Sequence, residues 1–153
     1  MSEKTYQISR DSHNRLCAQV VEGITVGIKM HSPTSPRVLD RGEHGYAVVD
    51  VETPLGPLRI RDIKIFWSQR REDFFVRWPQ WETGLIRRDG HRERLDVAGP
   101  WDQATRRDFS ERILALFRQI KAEAELGTIG RSHREDLEKL KSKLESDGPA
   151  AEA

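Results

Sequence analysis

Basic side chains are interleaved with aromatic rings between residues 57 and 94. This block holds 10 basic against 6 acidic side chains, whereas the whole chain has a net charge of +1. Guanidinium groups pair with phosphate oxygens, and aromatic rings stack on unpaired bases, so the block is suited to binding nucleic acid. The alternative is that the arginines form the solvent-exposed face of a sheet and the rings form its core. The basic residues are Arg59, Arg61, Lys64, Arg70, Arg71, Arg77, Arg87, Arg88, Arg92 and Arg94, and the aromatic ones are Phe66, Trp67, Phe74, Phe75, Trp78 and Trp81.

Residue types used in catalysis or metal binding are not grouped in this sequence. The 11 glycines are scattered instead of forming the phosphate-binding loop that opens a helix. A zinc site needs several ligands at workable spacing, and the single cysteine, Cys17, would need a distant histidine and an acid to act as a nucleophile. We therefore expect no enzyme activity, no cofactor and no metal. The isolated histidines are His13, His31, His44, His91 and His133.

Length and composition predict one folded core with flexible ends. Of the 153 residues, 36% are hydrophobic and 33% are charged, so the core is expected to be small. A single cysteine cannot form an intramolecular disulfide, and no apolar run approaches the ~20 residues of a membrane span. Residues 1–10 lack the apolar stretch of a secretory signal. These features predict a cytoplasmic protein without a membrane partner.

Four segments have the residue pattern of β-strands. They are residues 24–30, 46–52, 58–67 and 74–78, separated by a loop at 31–45 and by turns at 54–57 and 68–73. The third strand changes its apolar phase halfway along. One extra residue near Arg61 and Asp62 would restore a common inward face, so we predict a β-bulge there, or else burial on both faces. The apolar residues concerned are Leu58, Ile60, Ile63 and Ile65.

An amphipathic helix follows a basic, turn-rich connection. The connection, residues 80–99, is predicted to hold only a short strand at 92–97. Asp102 is a suitable N-cap for the helix, and Gly127 is predicted to end it. The apolar stripe is wide enough to lie across a sheet and comprises Phe109, Ile113, Leu116, Phe117, Ile120 and Ala124.

The predicted fold class is α+β, a small antiparallel sheet of four to five strands followed by this helix. Residues 1–20 show no sustained period and are predicted to be a flexible arm, which leaves the domain at 21–126. Residues 127–153 are predicted to be a charged helical extension with a disordered tail. The extension begins with a capping-box pattern at Ser132 and Glu135, and its leucine stripe consists of Leu137, Leu140 and Leu144.

Three segments, in order, resemble the bacterial stage V sporulation protein G family, also called septation regulators. They are residues 58–65 (LRIRDIKI), 74–79 (FFVRWP) and 100–106 (PWDQATR). In that family a strand ends in an Asp-Ile-basic-aliphatic run, and a hairpin returns as Leu-Phe-Val-x-Met-Pro. A Pro-Ile-Asn-x-x-Thr-Arg element then opens the helix. The resemblance extends from residue 24 to about residue 120.

The resemblance implies a homodimer formed through strands that binds DNA and RNA and regulates gene expression, with septation and sporulation as the processes concerned. Binding in the family is attributed to the start of the helix, which corresponds to Gln103, Thr105, Arg106 and Arg107. A helix N-terminus presents free amides and a partial positive charge, so a phosphate there gains from the backbone and from arginine together.

Three basic residues of the predicted sheet complete the expected nucleic-acid-binding set. They are Arg61, Lys64 and Arg77. No small-molecule substrate is expected. One rival hypothesis is a protein-interaction module that uses a sheet edge and the leucine stripe. Another is an enzyme of unrecognised type, and the alternative for Arg106 and Arg107 is solvent exposure with pairing along the helix to Glu111 or Ser110.

Overall fold

Six antiparallel strands form one sheet in which spatial order follows chain order, and two further strands form a separate hairpin. The computed structural model describes residues 5–127. The strands are β1 (Ser9–Arg10), β2 (Leu16–Val21), β3 (Ile24–Met30), β4 (Glu43–Thr53), β5 (Gly56–Ser68), β6 (Asp73–Arg77), β7 (Gln80–Ile86) and β8 (Arg92–Asp96). The predicted α+β class is confirmed, although the sheet has six strands where four or five were expected.

Two helices accompany the strands. The short helix α1 (Pro36–Arg41) begins at Ser35, whose side chain accepts a hydrogen bond from Arg37 N, and it ends at Gly42 with φ 67°. The prediction that residues 31–45 form a loop is therefore wrong for α1 and for the start of β4. The long helix α2 (Gln103–Glu125) is followed by Gly127 at φ 76°, as expected of a helix stop.

The predicted β-bulge at Arg61 and Asp62 is confirmed. Ala47 of β4 pairs with Ile63 and Val49 pairs with Ile60, so β5 uses one more residue than β4 over this stretch. Asp62 adopts φ 61°, a left-handed conformation that aspartate tolerates better than most residues. The bulge brings Ile60 onto the same face as Ile63 and Ile65. Ile63 and Ile65 are fully buried, Ile60 is partly buried, and Leu58 at the start of the strand is 63% exposed.

One face of the sheet packs against α2. The ring of Phe74 in β6 meets Phe117 of α2 edge to face, with centroids 4.9 Å apart. Trp78, which follows β6, is 3% exposed, and its Nε1 donates a 3.0 Å hydrogen bond to Ser110 Oγ in α2. Residues up to Phe117 form one compact unit, and the contacts described below lie within it. The buried residues of the core include Val20, Val26, Ile28, Ala47, Val49, Ile63 and Ile65 of the sheet and Ile113 and Leu116 of α2.

The N-terminal segment belongs to the sheet, which corrects the prediction of a flexible arm at residues 1–20. Leu16–Val21 pairs with β3, and Ser9–Arg10 pairs with β2. Ala18 and Val20 are buried, so this strand contributes to the core. Sequence pattern missed it because only part of the strand alternates, and a register shift lies between Gln19 and Val21.

The connection between the sheet and α2 contains a hairpin instead of a single short strand. Strand β8 lies close to its predicted position, but β7 was not predicted, and the two strands pair from Gln80 with Asp96 to Ile86 with Arg92. Tertiary pairing supplies the strand partner that a basic, turn-rich sequence does not reveal.

Some predictions fall outside the described residues. The helical extension at 127–153 lies beyond the described part of the chain except for Gly127.

The apolar stripe of α2 stops before Ala124, which is exposed. Within residues 5–127, neither helix combines the length and the apolar character that crossing a membrane requires.

Candidate nucleic-acid interface

The strand register aligns four side chains in one row across the sheet. Lys29 of β3 pairs with Tyr46 of β4, Tyr46 pairs with Lys64 of β5, and Lys64 pairs with Arg77 of β6. Side chains alternate between faces, and the neighbours Ile28, Ala47, Ile65 and Val76 belong to the α2 side. The row therefore lies on the opposite face, which we call the outer face. Adjacent strands are about 4.8 Å apart, so the row extends over about 14 Å.

Two phenylalanine rings lie beside this row. Phe66 of β5 pairs with Phe75 of β6, and their rings stack at an interplanar angle of 20° with centroids 5.6 Å apart. The Arg77 guanidinium lies over the Phe66 ring, 4.6 Å from its centroid. Such a cation–π contact orients the guanidinium while leaving its N–H groups able to donate.

The cations of the outer face differ in whether a carboxylate neutralises them. Arg59 forms a bidentate pair with Asp50 at 2.7 and 2.9 Å, so its charge is compensated. Within the described part of the chain, Lys29, Arg61 and Arg77 form no salt bridge. These three residues are thus the uncompensated positive charges of the outer face.

Lys64 has a partial counter-charge in a buried glutamate. Glu43 is 5% exposed, and its Oε1 lies 3.6 Å from Lys64 Nζ, a group that also reaches solvent. His31 Nε2 lies 3.3 Å from Glu43 Oε2, but burial lowers the pKa of His31 more than the glutamate raises it. Burial thus favours the neutral imidazole, and the basic side chains nearest Glu43 are Lys64 at 3.6 Å and Arg37 at 4.0 Å.

The start of α2 is organised by Asp102, as the sequence predicted. Thr105 N donates to Asp102 Oδ1 at 2.8 Å, and the Thr105 hydroxyl donates to Asp102 Oδ2 at 2.7 Å. These hydrogen bonds hold the pKa of Asp102 below its usual value. The Thr105 hydroxyl proton and one of the first free amides are already satisfied by a carboxylate, which leaves them less available to a phosphate.

The two arginines at the helix start have different environments. Arg106 Nη1 lies 2.9 Å from Asp96 Oδ2 of β8, and its Nη2 donates to Pro100 O at 3.4 Å. Gly99 permits this packing, because a Cβ there would lie 3.2 Å from Arg106 Nη2. Arg107 is exposed, and its side chain makes no hydrogen bond or salt bridge within residues 5–127. Gln103 is likewise exposed.

The structure thus divides the seven predicted residues into two groups. Arg61, Lys64 and Arg77 lie on or beside the outer face, and the other four lie at the start of α2. Sequence reasoning missed Lys29 and Tyr46, which complete the row. Their signal was the polar phase of two predicted strands, but only the register shows that they align with Lys64.

Cys17 is the single thiol of the chain. Burial raises the pKa of the Cys17 thiol to about 11, so the thiolate nucleophile is scarce at neutral pH. Among residues 5–127, no three histidine, cysteine, aspartate or glutamate side chains are grouped so as to hold a metal ion.

A scan against models of protein families, a search of curated proteins and a search of solved structures each returned no match.

Proposed function

We propose that this protein binds nucleic acid through the outer face of the sheet. The observation that carries the proposal is the cross-strand row of Lys29, Tyr46, Lys64 and Arg77. Phosphate contacts supply most of the affinity in sequence-tolerant nucleic-acid binding, and an aromatic side chain within the row offers a stacking surface. Arg61 extends the positive charge along β5.

Charge compensation favours this surface over the start of α2. A phosphate approaching Lys29, Arg61 or Arg77 displaces no carboxylate, whereas a phosphate approaching Arg106 competes with Asp96 at 2.9 Å. The helix-start residues, with Arg107 foremost, form a secondary contact in this proposal. The resemblance to stage V sporulation protein G supports a regulatory role and a homodimer, and both belong to the proposal.

Matched charge reversals test the proposal. Labelled DNA and RNA oligonucleotides, single-stranded and duplex, are titrated at two salt concentrations and followed by fluorescence anisotropy. Lys29→Glu and Arg61→Glu are each expected to weaken binding about tenfold and to reduce its dependence on salt. Neither residue has a salt-bridge partner among the described residues, so the fold is expected to tolerate both changes.

Two further charge reversals serve as controls. Arg10→Glu lies on β1, four strands from β5, and is expected to change affinity less than about twofold. Arg107→Glu tests the helix start with the same change of charge. If Arg107→Glu abolished binding while Lys29→Glu and Arg61→Glu left it unchanged, the assignment to the outer face would be wrong.

Exposed apolar side chains favour a second candidate function, self-association through the β7–β8 hairpin. Trp81 is 61% exposed, and Leu95, which pairs with it, is 48% exposed. Such neighbours on a small surface hairpin suit contact with a second copy of the chain. A Trp81→Ser/Leu95→Ser variant that stays dimeric by light scattering would eliminate this candidate.

A further inference from the structure

A groove separates the outer face of β5 and β6 from the β7–β8 hairpin. Two neighbouring cavities, of about 590 and 610 Å³, share the lining residues Lys64, Arg77, Glu82 and Arg94. Each volume is within the ~300–1,000 Å³ of clefts that hold small ligands. Lys64 and Arg77 of the cross-strand row thus form one side of the groove, and the β7–β8 hairpin forms the other.

Basic residues slightly outnumber acidic ones in the lining of this groove, which holds Arg41, Lys64, Arg77 and Arg94 against Glu43, Asp62 and Glu82. Glu82 is the carboxylate nearest Arg94, at 3.4 Å, but it also pairs with Arg92 at 3.2 Å. Arg77 has no carboxylate partner among the described residues and faces Arg94 across the groove. Burial and, after it, the charge of Arg94 lower the pKa of Arg77.

Aromatic surface lies next to these cations. Phe66 and Phe75 line the cavity that also contains Arg77 and Arg94. Each ring is half-buried, and the Arg77 guanidinium plane lies over Phe66. Bases without a pairing partner stack both on aromatic rings and on guanidinium planes. The groove therefore combines donors for a phosphate with a stacking surface for a base.

We propose that this groove binds a nucleotide unit whose base is unpaired, with its phosphate between Arg77 and Arg94 and its base against the Phe66 and Phe75 rings. An anion at this point relieves the repulsion between the two guanidinium groups. Arg77 can donate to it without displacing a carboxylate, and Arg94 can donate through the N–H groups that are not directed at Glu82, which accepts from its Nη2 at 3.4 Å. The inference rests on the proposed function and deepens it, because it specifies the class of nucleic acid that the outer face selects.

The position of the site in a groove between the sheet and the hairpin accounts for this selectivity. In a duplex the bases are stacked and paired, so their faces are not available to aromatic side chains that line a groove. A single strand can turn one base out toward Phe66 and Phe75 while its phosphates follow the row of basic residues. We expect the protein to bind a single strand at least about tenfold more tightly than a duplex of the same sequence.

Two neighbouring arginines of β8 provide a matched test. Both Arg92 and Arg94 pair with Glu82, but only Arg94 shares the groove with Arg77. The full chain is titrated with a labelled 12-nucleotide single strand and with the corresponding duplex. A separate titration with a nucleoside monophosphate is measured by calorimetry. Arg94→Gln is expected to weaken the binding of the single strand about tenfold, and Arg92→Gln less than about twofold. Phe75→Leu, which keeps an apolar side chain, is expected to weaken the single strand more than the duplex.

Each outcome bears on the inference. The site is supported if Arg94→Gln binds the single strand or the monophosphate more weakly than both the parent and Arg92→Gln bind it. The probe that shows this difference identifies whether the nucleotide belongs to a strand or is free. Equal binding of both probes by the two variants, or equal affinity for strand and duplex, overturns the site. If binding survives in that case but falls in Lys29→Glu, the proposed function stands without it. If no nucleic acid binds the parent, both are wrong.

Discussion

The outer face of the sheet and the start of α2 are both basic, but they satisfy their charges differently. At the helix start, Arg106 pairs with Asp96 and Thr105 donates to Asp102. On the outer face, Lys29 and Arg77 form no salt bridge among residues 5–127. The first region uses its polar groups to hold the hairpin and the helix in place, and the second leaves cations available to a ligand.

This difference shows that a functional residue cannot be recognised by its type alone. Arg106 and Arg77 are both half-buried arginines. Arg106 pairs with the carboxylate of Asp96, whereas Arg77 contacts the ring of Phe66. A carboxylate competes with phosphate for the guanidinium, whereas a ring below the guanidinium leaves its edge free to donate. Four predictions test whether this contrast holds.

The largest expected effect concerns Trp78, which ties the sheet to the helix start. Trp78→Ala is expected to lower the free energy of unfolding by about 3–5 kcal/mol, because it removes a buried ring and leaves Ser110 without its donor. Urea unfolding followed by circular dichroism measures the change. Trp81→Ala, at a 61% exposed tryptophan, is the matched control and is expected to change stability by less than about 0.5 kcal/mol. Equal losses in the two variants would contradict the packing described for Trp78.

Asp11 gives the next effect, because it neutralises Arg15 at the margin of the outer face. Although burial raises the pKa of Asp11, hydrogen bonds from Arg15 N and Nε and from His13 N lower it to about 2 overall. A carboxyl whose pKa is lower in the folded state stabilises the fold above its unfolded pKa of ~3.9 and loses that contribution as pH falls toward the folded value.

Asp11→Asn is therefore expected to cost about 1–2 kcal/mol at pH 7 and much less at pH 2. Urea unfolding of parent and variant at both pH values measures the difference. The same cost at pH 2 as at pH 7 would show that the ionised carboxylate is not the stabilising group.

Substitutions of Asp62 test the β-bulge that keeps Ile60, Ile63 and Ile65 of β5 on one face of the sheet. The φ of 61° at Asp62 disfavours β-branched residues, so Asp62→Val is expected to lower the free energy of unfolding by about 1–2 kcal/mol. Asp62→Gly removes the same charge without conformational strain and is expected to be within about 0.5 kcal/mol of the parent. Thermal unfolding of the pair separates backbone strain from charge. Identical melting temperatures would rule out strain at this position.

Asp96 gives the smallest effect and the most direct test of the contrast. Asp96→Asn frees Arg106 and, because the ion pair is partly exposed, is expected to cost at most about 1 kcal/mol of stability. Affinity for nucleic acid is expected to rise less than about twofold, since the outer face provides the main contacts. A tenfold rise in anisotropy titrations would mean that the helix start is a binding site restrained by Asp96.

Local patterns predicted the segments whose signals are contained in a few neighbouring residues. The alternation at residues 24–30, the break in phase around Asp62, and the cap at Asp102 all follow from short-range sequence and were confirmed. Strands β2 and β7 were missed because their partners, not their own periodicity, hold them in place. The site could be predicted only in part, since Lys29 and Lys64, which lie on either side of Tyr46 in the row, are more than thirty residues apart in the sequence.

The sequence by itself determined which residues are apolar, where the chain turns, and that positive charge concentrates between residues 57 and 94. Those properties depend on residue types and on spacings of a few positions. Only the tertiary structure decided which cations remain uncompensated, because that depends on distant carboxylates such as Asp96 for Arg106 and Glu43 for Lys64. Strand register brings these groups together, and register is set by the packing of the whole sheet.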